Sequence, residues 1–126
     1  SNIFKEADSF SSFSVDDLKK AKDFYGQLLG LDVKETEEGL ELHTDDNTIF
    51  LYPKPNHTPA SFTVLNFAVD DIEAAVDELN ALGIKLERYN LPDIKTDERG
   101  IARGDRGPTI AWFKDPAGNI LSVLEE

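Results

Sequence analysis

Apolar and polar positions along this chain repeat one scheme twice. Residues 1–8 are a polar leader. Residues 9–15 then alternate, with Phe13 and Val15 on one face and Phe10, Ser12 and Ser14 on the other, which predicts a half-buried strand. Asp16 or Asp17 caps a following helix whose apolar stripe is Leu18, Ala21, Tyr25 and Leu28, and Gly30 stops it. Residues 31–36 and 39–43 read as a hairpin turning at Glu37, Glu38 and Gly39, and residues 48–52 as a further strand. A stiff, proline-rich connector, PKPNHTP, occupies residues 53–59.

The scheme then starts again. Residues 61–69 predict a strand, and Asp70 or Asp71 caps a helix with the stripe Ile72, Ala75, Val76, Leu79 and Leu82, ended by Gly83. Residues 84–89 read as the next strand. Residues 110–113 and 120–124 read as a closing pair around Asp115, Pro116, Ala117, Gly118 and Asn119. Pro116 presets its own φ and Gly118 accepts a positive one, so this turn has a mechanism. VDDLKKA at Val15 matches VDDIEAA at Val69, an offset of 54, and FYGQLLGL matches DELNALGI with one residue deleted. An internal duplication of this kind predicts two tandem βαβββ modules, one at about residues 9–53 and one at about 61–126. Neither buries its sheet alone, so the two sheets are expected to pair within a single domain spanning residues 1–126.

Strand parity separates two kinds of face. Phe13 and Val15, Leu65, Phe67 and Val69, and Leu121 and Val123 form uniformly apolar sets that belong under the helices. The opposite faces carry Phe10, Ser12 and Ser14; Val64, Asn66 and Ala68; and Ile120, Ser122 and Leu124. Phe50 and Tyr52 gather on that side too. Mixed small and polar residues do not close-pack as a core does, and a covered amide such as Asn66 needs partners. Two readings stand: a small-molecule pocket, or a plug of aromatic rings filling the same space.

Composition narrows the function classes. The 126 residues suit one domain with a core, and no apolar run approaches the roughly 20 residues of a membrane span. No signal-peptide pattern opens the chain, so cytoplasm is the default location. With no cysteine, disulfides, thiolate metal sites and cysteine nucleophiles are unavailable. A formal charge of −12 argues against nucleic acid and anionic membrane as partners and favours a cationic ligand by steering. Solubility alone also accounts for that charge.

Three stretches, FSVDDLKKAKDFYGQLLGL, NFAVDDIEAAVDELNALGI and WFKDPAGNILSVL, cover nearly the whole chain in order. Together they resemble the superfamily of glyoxalases, bleomycin-resistance proteins and extradiol, ring-cleaving dioxygenases, the vicinal oxygen chelate fold. The resemblance implies an α+β fold whose two βαβββ modules form a partly closed, barrel-like cup with helices outside and a ligand inside. It also implies a homodimer as the common assembly, and it places Ile110 and Trp112 on the cup face. Enzymes of the superfamily hold a divalent metal on His, Gln or Glu from the first and last strand of each module. The matching positions here are Phe10, Phe50, Val64 and Ser122. Those side chains do not make the nitrogen and oxygen shell a divalent metal needs, so neither metal nor other cofactor is expected.

Other chemistry is sparse. His43 and His57 match no metal motif and read as solvated or capping residues. Ser12 or Ser122 as a nucleophile would need a placed base. Residues 90–107 form a long charged loop whose Arg99, Arg103 and Arg106 either clamp an anion or belong to a solvated excursion. The expected function is metal-free binding of a flat aromatic molecule by Phe10, Ser12, Phe50, Tyr52, Val64, Asn66, Ile110, Trp112 and Ser122, by stacking and, for a cationic ligand, which the charge allows but does not demand, by cation–π attraction. The rival is a divergent metal-dependent lyase, isomerase or dioxygenase. A regulatory module with no ligand is a third reading.

Overall fold

A computed structural model describes residues 2–104 and 107–126. The chain divides into two compact units, one ending at His57 and the other beginning at Thr58. The first holds a single helical turn α1 (Ile3–Glu6), β1 (Ser11–Val15), α2 (Leu18–Lys22) running into a π-helical segment (Asp23–Leu28), β2 (Asp32–Glu35), β3 (Leu40–His43) and β4 (Thr48–Pro53). The second holds β5 (Thr63–Val69), α3 (Ile72–Ala81), β6 (Ile101–Ala102), β7 (Thr109–Lys114) and β8 (Ile120–Glu125). The sheet orders are β1-β4-β3-β2 and β5-β8-β7-β6, so each module sets its first strand parallel to its last and keeps the other pairings antiparallel. Two four-stranded mixed sheets with few helices make an α+β fold.

The repeat is visible in backbone detail. Asp17 and Asp71 are the caps, each in extended conformation and each accepting from the backbone N–H three residues on, Lys20 at 3.0 Å and Ala74 at 3.1 Å. Gly30 and Gly83 end the two helices at φ 78° and 79°, where a residue with a Cβ is strained. Between cap and glycine the first module has one residue more than the second. The π segment absorbs it: the Leu29 N–H reaches back five residues to the Phe24 carbonyl at 2.9 Å. The wider turn rotates the predicted stripe, so Phe24 is buried beside Tyr25 while Leu28 turns outward.

Each core lies between a helix and one sheet face. Val15, Leu40, Leu42, Ile49 and Leu51 are buried in module one with Ala21, Phe24 and Tyr25. In module two Ile72, Val76 and Leu79 are buried with Ala111, Phe113, Leu121 and Val123. These are the faces that alternation assigned to the helices.

The polar leader carries one helical turn over Ile3–Glu6, closed by the Glu6 N–H to Asn2 carbonyl bond. One expectation is corrected. Residues 84–89 do not form a strand. Ile84 and Leu86 are buried as alternation required, but only a single bridge joins Leu86 to Phe113, and Glu87 donates one bond to the Trp112 carbonyl. Alternation reports which side chains face the core; it does not report a continuous ladder of partners. The fourth strand of the module-two sheet is β6, from within the stretch read as an irregular loop.

Candidate functional site

The sheet face without the helix is the polar and aromatic one in each module. In module one, register puts Ser12 beside Phe50 and Ser14 beside Tyr52, with Glu41 on the other side of Phe50. The Phe50 and Tyr52 rings stack at 6.4 Å and 18°. Phe10, just before β1, is 66% exposed and lines a cleft of about 370 Å³ with Phe50, Thr36, Glu38, Glu41 and Thr48. Gly39 makes room there, because a Cβ on it would lie 3.2 Å from the tip of the Phe50 ring. Both histidines engage this module. His43 contacts Glu41 through Nε2 at 3.1 Å and Thr48 through Nδ1 at 3.2 Å. The Lys54–His57 turn brings His57 Nδ1 to 2.6 Å from the Ser14 hydroxyl. The serine with a base at hand is therefore Ser14, not Ser12 or Ser122.

In module two, Trp112 stands opposite Ser122 on one side, and Asn66 stands beside Ser122 on the other. Ser122 is fully buried and its hydroxyl donates to the side-chain amide oxygen Oδ1 of Asn66. It supports the exposed Asn66 amide more than it presents itself. A bulge between Thr63 and Leu65 makes Val64 an extra residue, so simple alternation no longer assigns its side, and Thr63 takes the place opposite Ile120. Thr63 accepts the Trp112 indole N–H at 3.1 Å, and Tyr89 packs its ring edge-on to Trp112 at 5.3 Å. Burial, and then the neighbouring Glu87 carboxylate, raise the Tyr89 pKa above its ordinary 10.0, leaving a neutral phenol at neutral pH.

Residues 90–104 form a strap beside this face. Its two bridges, Asn90 with Lys95 and Thr96 with Ala102, carry it to β6, and with Ile110 and Trp112 it encloses a cleft of about 530 Å³. Pro92, Ile94, Lys95, Ala102 and Arg103 line the strap's side of that cleft. Asp97 organises the strap by accepting from the backbone N–H groups of Arg99 at 2.8 Å and Ile101 at 3.0 Å. Burial pushes its carboxyl pKa up, but those two N–H bonds and the Arg103 charge outweigh it, so the pKa falls below the ordinary 3.8. Arg99 pairs with Glu73 and Asp77 of α3, and Arg103 pairs with Glu73 and Asp97. Of the three arginines offered as an anion clamp or as part of a solvated excursion, Arg99 and Arg103 instead hold the strap on the helix. Arg106 lies outside the described residues.

The model of the Glyoxalase/Bleomycin resistance protein/Dioxygenase superfamily matches residues 9–123. The chain belongs to this superfamily. Among solved structures, TnmS3, an antibiotic-binding protein from Streptomyces sp. CB03234, is 25% identical, with 95% of this chain and 97% of that one covered at a TM-score of 0.62. Lactoylglutathione lyase from Agrobacterium tumefaciens is also 25% identical, over 95% and 93% of the two chains, at 0.65. A bleomycin-binding protein complexed with bleomycin is 20% identical over 95% and 98%, at 0.70, and shows the fold alone. No curated protein matches this chain.

Superfamily enzymes imply a divalent metal, and the residues here do not fit one. The positions that would carry its ligands hold Phe10, Phe50, Val64 and Ser122; three are hydrocarbons and the fourth is a buried hydroxyl committed to Asn66. No group of three or more His, Asp or Glu able to hold a metal occurs among the described residues. Within this superfamily member the predicted binding residues fall into two sets, Phe10, Ser12, Phe50 and Tyr52 in module one, and Asn66, Ile110, Trp112 and Ser122 in module two. Sequence reasoning missed Thr63, because a bulge leaves no trace in alternation. It also missed Tyr89, whose signal was present: with Ile84 and Leu86 inward, position 89 falls on the Trp112 side.

Proposed function

We propose that the protein binds a flat aromatic small molecule without a metal, using the helix-free faces of its two modules. The observation that carries this reading is the module-two cleft. At about 530 Å³ it has the size of a small-molecule site, and Ile110 and Trp112 line its sheet side. On the module-two face the Asn66 amide, oriented by Ser122, supplies a polar contact and Val64 an apolar one; on the module-one face, taken by itself, Ser12 supplies a hydroxyl and Phe10, Phe50 and Tyr52 supply apolar surface. The drug-binding relatives support the reading, as TnmS3 is an antibiotic-binding protein and another neighbour is complexed with bleomycin. The lyase relative keeps metal-dependent catalysis as the second reading, against which the donor set stands.

Trp112 is the sole tryptophan, so its fluorescence reports on the cleft alone. Titration with a library of aromatic antibiotics and dyes is expected to quench or shift that emission saturably and to raise Tm. Emission and Tm unmoved across the library would remove the reading. A homodimer is proposed on family grounds and a cytoplasmic location as the default of the composition, and light scattering of the purified chain tests the assembly.

A further inference from the structure

The two clefts differ in charge. The module-two cleft carries Lys95 against Asp93, together with an Arg103 already paired with Glu73 and Asp97. The module-one cleft carries Glu38 and Glu41 with the rings of Phe10 and Phe50, and no Lys or Arg is in its described lining. Several of these groups are held in place. Phe50 stacks on Tyr52 and sits over Gly39. The Glu41 carboxylate is oriented by His43, whose second ring nitrogen meets Thr48. In the tautomer that satisfies both contacts, the Thr48 hydroxyl donates to Nδ1 and Nε2–H donates to Glu41. The Glu38 backbone is placed at the hairpin tip, where its N–H donates to the Thr36 hydroxyl at 3.3 Å, and its carboxylate is exposed at the cleft. Phe10 is the loose member, a phenyl ring two-thirds exposed at the cleft's edge.

An aromatic face attracts a cation through its quadrupole, and a soft, weakly hydrated ammonium gains most from it. Carboxylates beside the rings add attraction that a neutral or anionic molecule does not share. We infer that the module-one cleft is a subsite for an organic cation, a substituted ammonium held against Phe10 and Phe50 with Glu38 and Glu41 as its counter-charges. This rests on the small-molecule reading for the identity of the ligand it serves. The subsite's sign selectivity follows from its own lining, and the chain's −12 charge steers such a molecule toward the protein.

The test uses the full chain, labelled with ¹⁵N, and benzyltrimethylammonium as probe, with benzoate and benzyl alcohol as controls. The probe is expected to shift the amides of residues 36–41 and 48–50 saturably while the controls leave them nearly still. Glu38→Gln/Glu41→Gln keeps an acceptor for His43 and is expected to weaken the probe by about tenfold with the spectrum otherwise native. Phe10→Ala, at an exposed position, is expected to weaken it as well. Benzoate binding as tightly as the ammonium, or an unchanged affinity in the double Gln variant, overturns the inference. Trp112 emission followed with the aromatic library separates the two ideas. A responding Trp112 with silent module-one amides sinks the cation subsite alone, and shifted amides with a silent Trp112 sink only the module-two reading.

Discussion

Asp115 shows how much one side chain carries at the residue scale. Its Oδ1 accepts from the N–H groups of Ala117 and Asn119, both at 2.9 Å, and its Oδ2 accepts from the Asn119 side-chain amide at 3.0 Å. It is 5% exposed and Asn119 is 2% exposed. Bonds to a charged acceptor in such a place contribute more than neutral ones, and the donors have little water to turn to. Asp115→Ala is expected to cost about 3 kcal/mol in urea unfolding; a loss below about 1 kcal/mol would contradict the account. Gly39 is constrained by space instead. A Cβ there would lie 2.0 Å from the Leu51 carbonyl oxygen, so Gly39→Ala is expected to destabilise by about 2–3 kcal/mol and to displace the Phe50 ring. Circular dichroism melts and the Phe50 ring resonances check both effects.

At the scale of elements, the π segment and the strap both depart from the periodic pattern. The repeat has identical caps and identical terminal glycines, so an extra residue in the first helix has to widen a turn, and the stripe moves from Leu28 toward Phe24. Residues 90–107 read as a loop in the sequence because NLPDIKTDERGIARGDRG has no period of its own. The strap lies within them. Its order comes from Asp97 and from arginines that pair with α3, contacts spanning 20 or more positions of sequence. These pairs are exposed and individually weak; the Asp97 carboxylate bonding two backbone N–H groups is the firmer anchor. Its pKa is lower folded than unfolded, so its contribution is complete above the ordinary 3.8 and vanishes as pH falls through the lower folded value. The strap is therefore expected to be held down at neutral pH and released only in strong acid. Amide exchange at Arg99 and Ile101 should rise there before the module unfolds, and Asp97→Asn should exchange faster at neutral pH and lose that acid step.

For the whole molecule, the chemistry of the superfamily's metal positions decides the next expectation. With Phe10, Phe50, Val64 and Ser122 in those places, saturating Mn²⁺, Ni²⁺, Zn²⁺ or Fe²⁺ should leave Tm within about a degree, since only a ligand bound by the native state stabilises it. A rise of several degrees with stoichiometric metal in elemental analysis would restore the enzyme reading. Among the described residues no helix is long and apolar enough to cross a membrane.

What the sequence determined by itself is local and repetitive: a capping aspartate in each Asp-Asp pair, which the structure narrows to Asp17 and Asp71, the stopping Gly30 and Gly83, the alternating faces, and a duplication that identifies the superfamily. These are legible because caps, positive-φ glycines and period-two alternation act over a few residues, and each leaves its mark within that window. Only the tertiary structure decided where distant groups meet. It put Ser14 against His57, Thr63 under the Trp112 indole, Arg99 and Arg103 on α3, and β6 in place of residues 84–89. The last hairpin shows both levels at once. Its DPAGN turn could be read from Pro116 and Gly118, whereas the burial of Asp115 and the Ser122–Asn66 bond depend on strands that pair from opposite ends of the module. Alternation records which side of a strand is apolar, and carries no record of which strand comes to lie beside it.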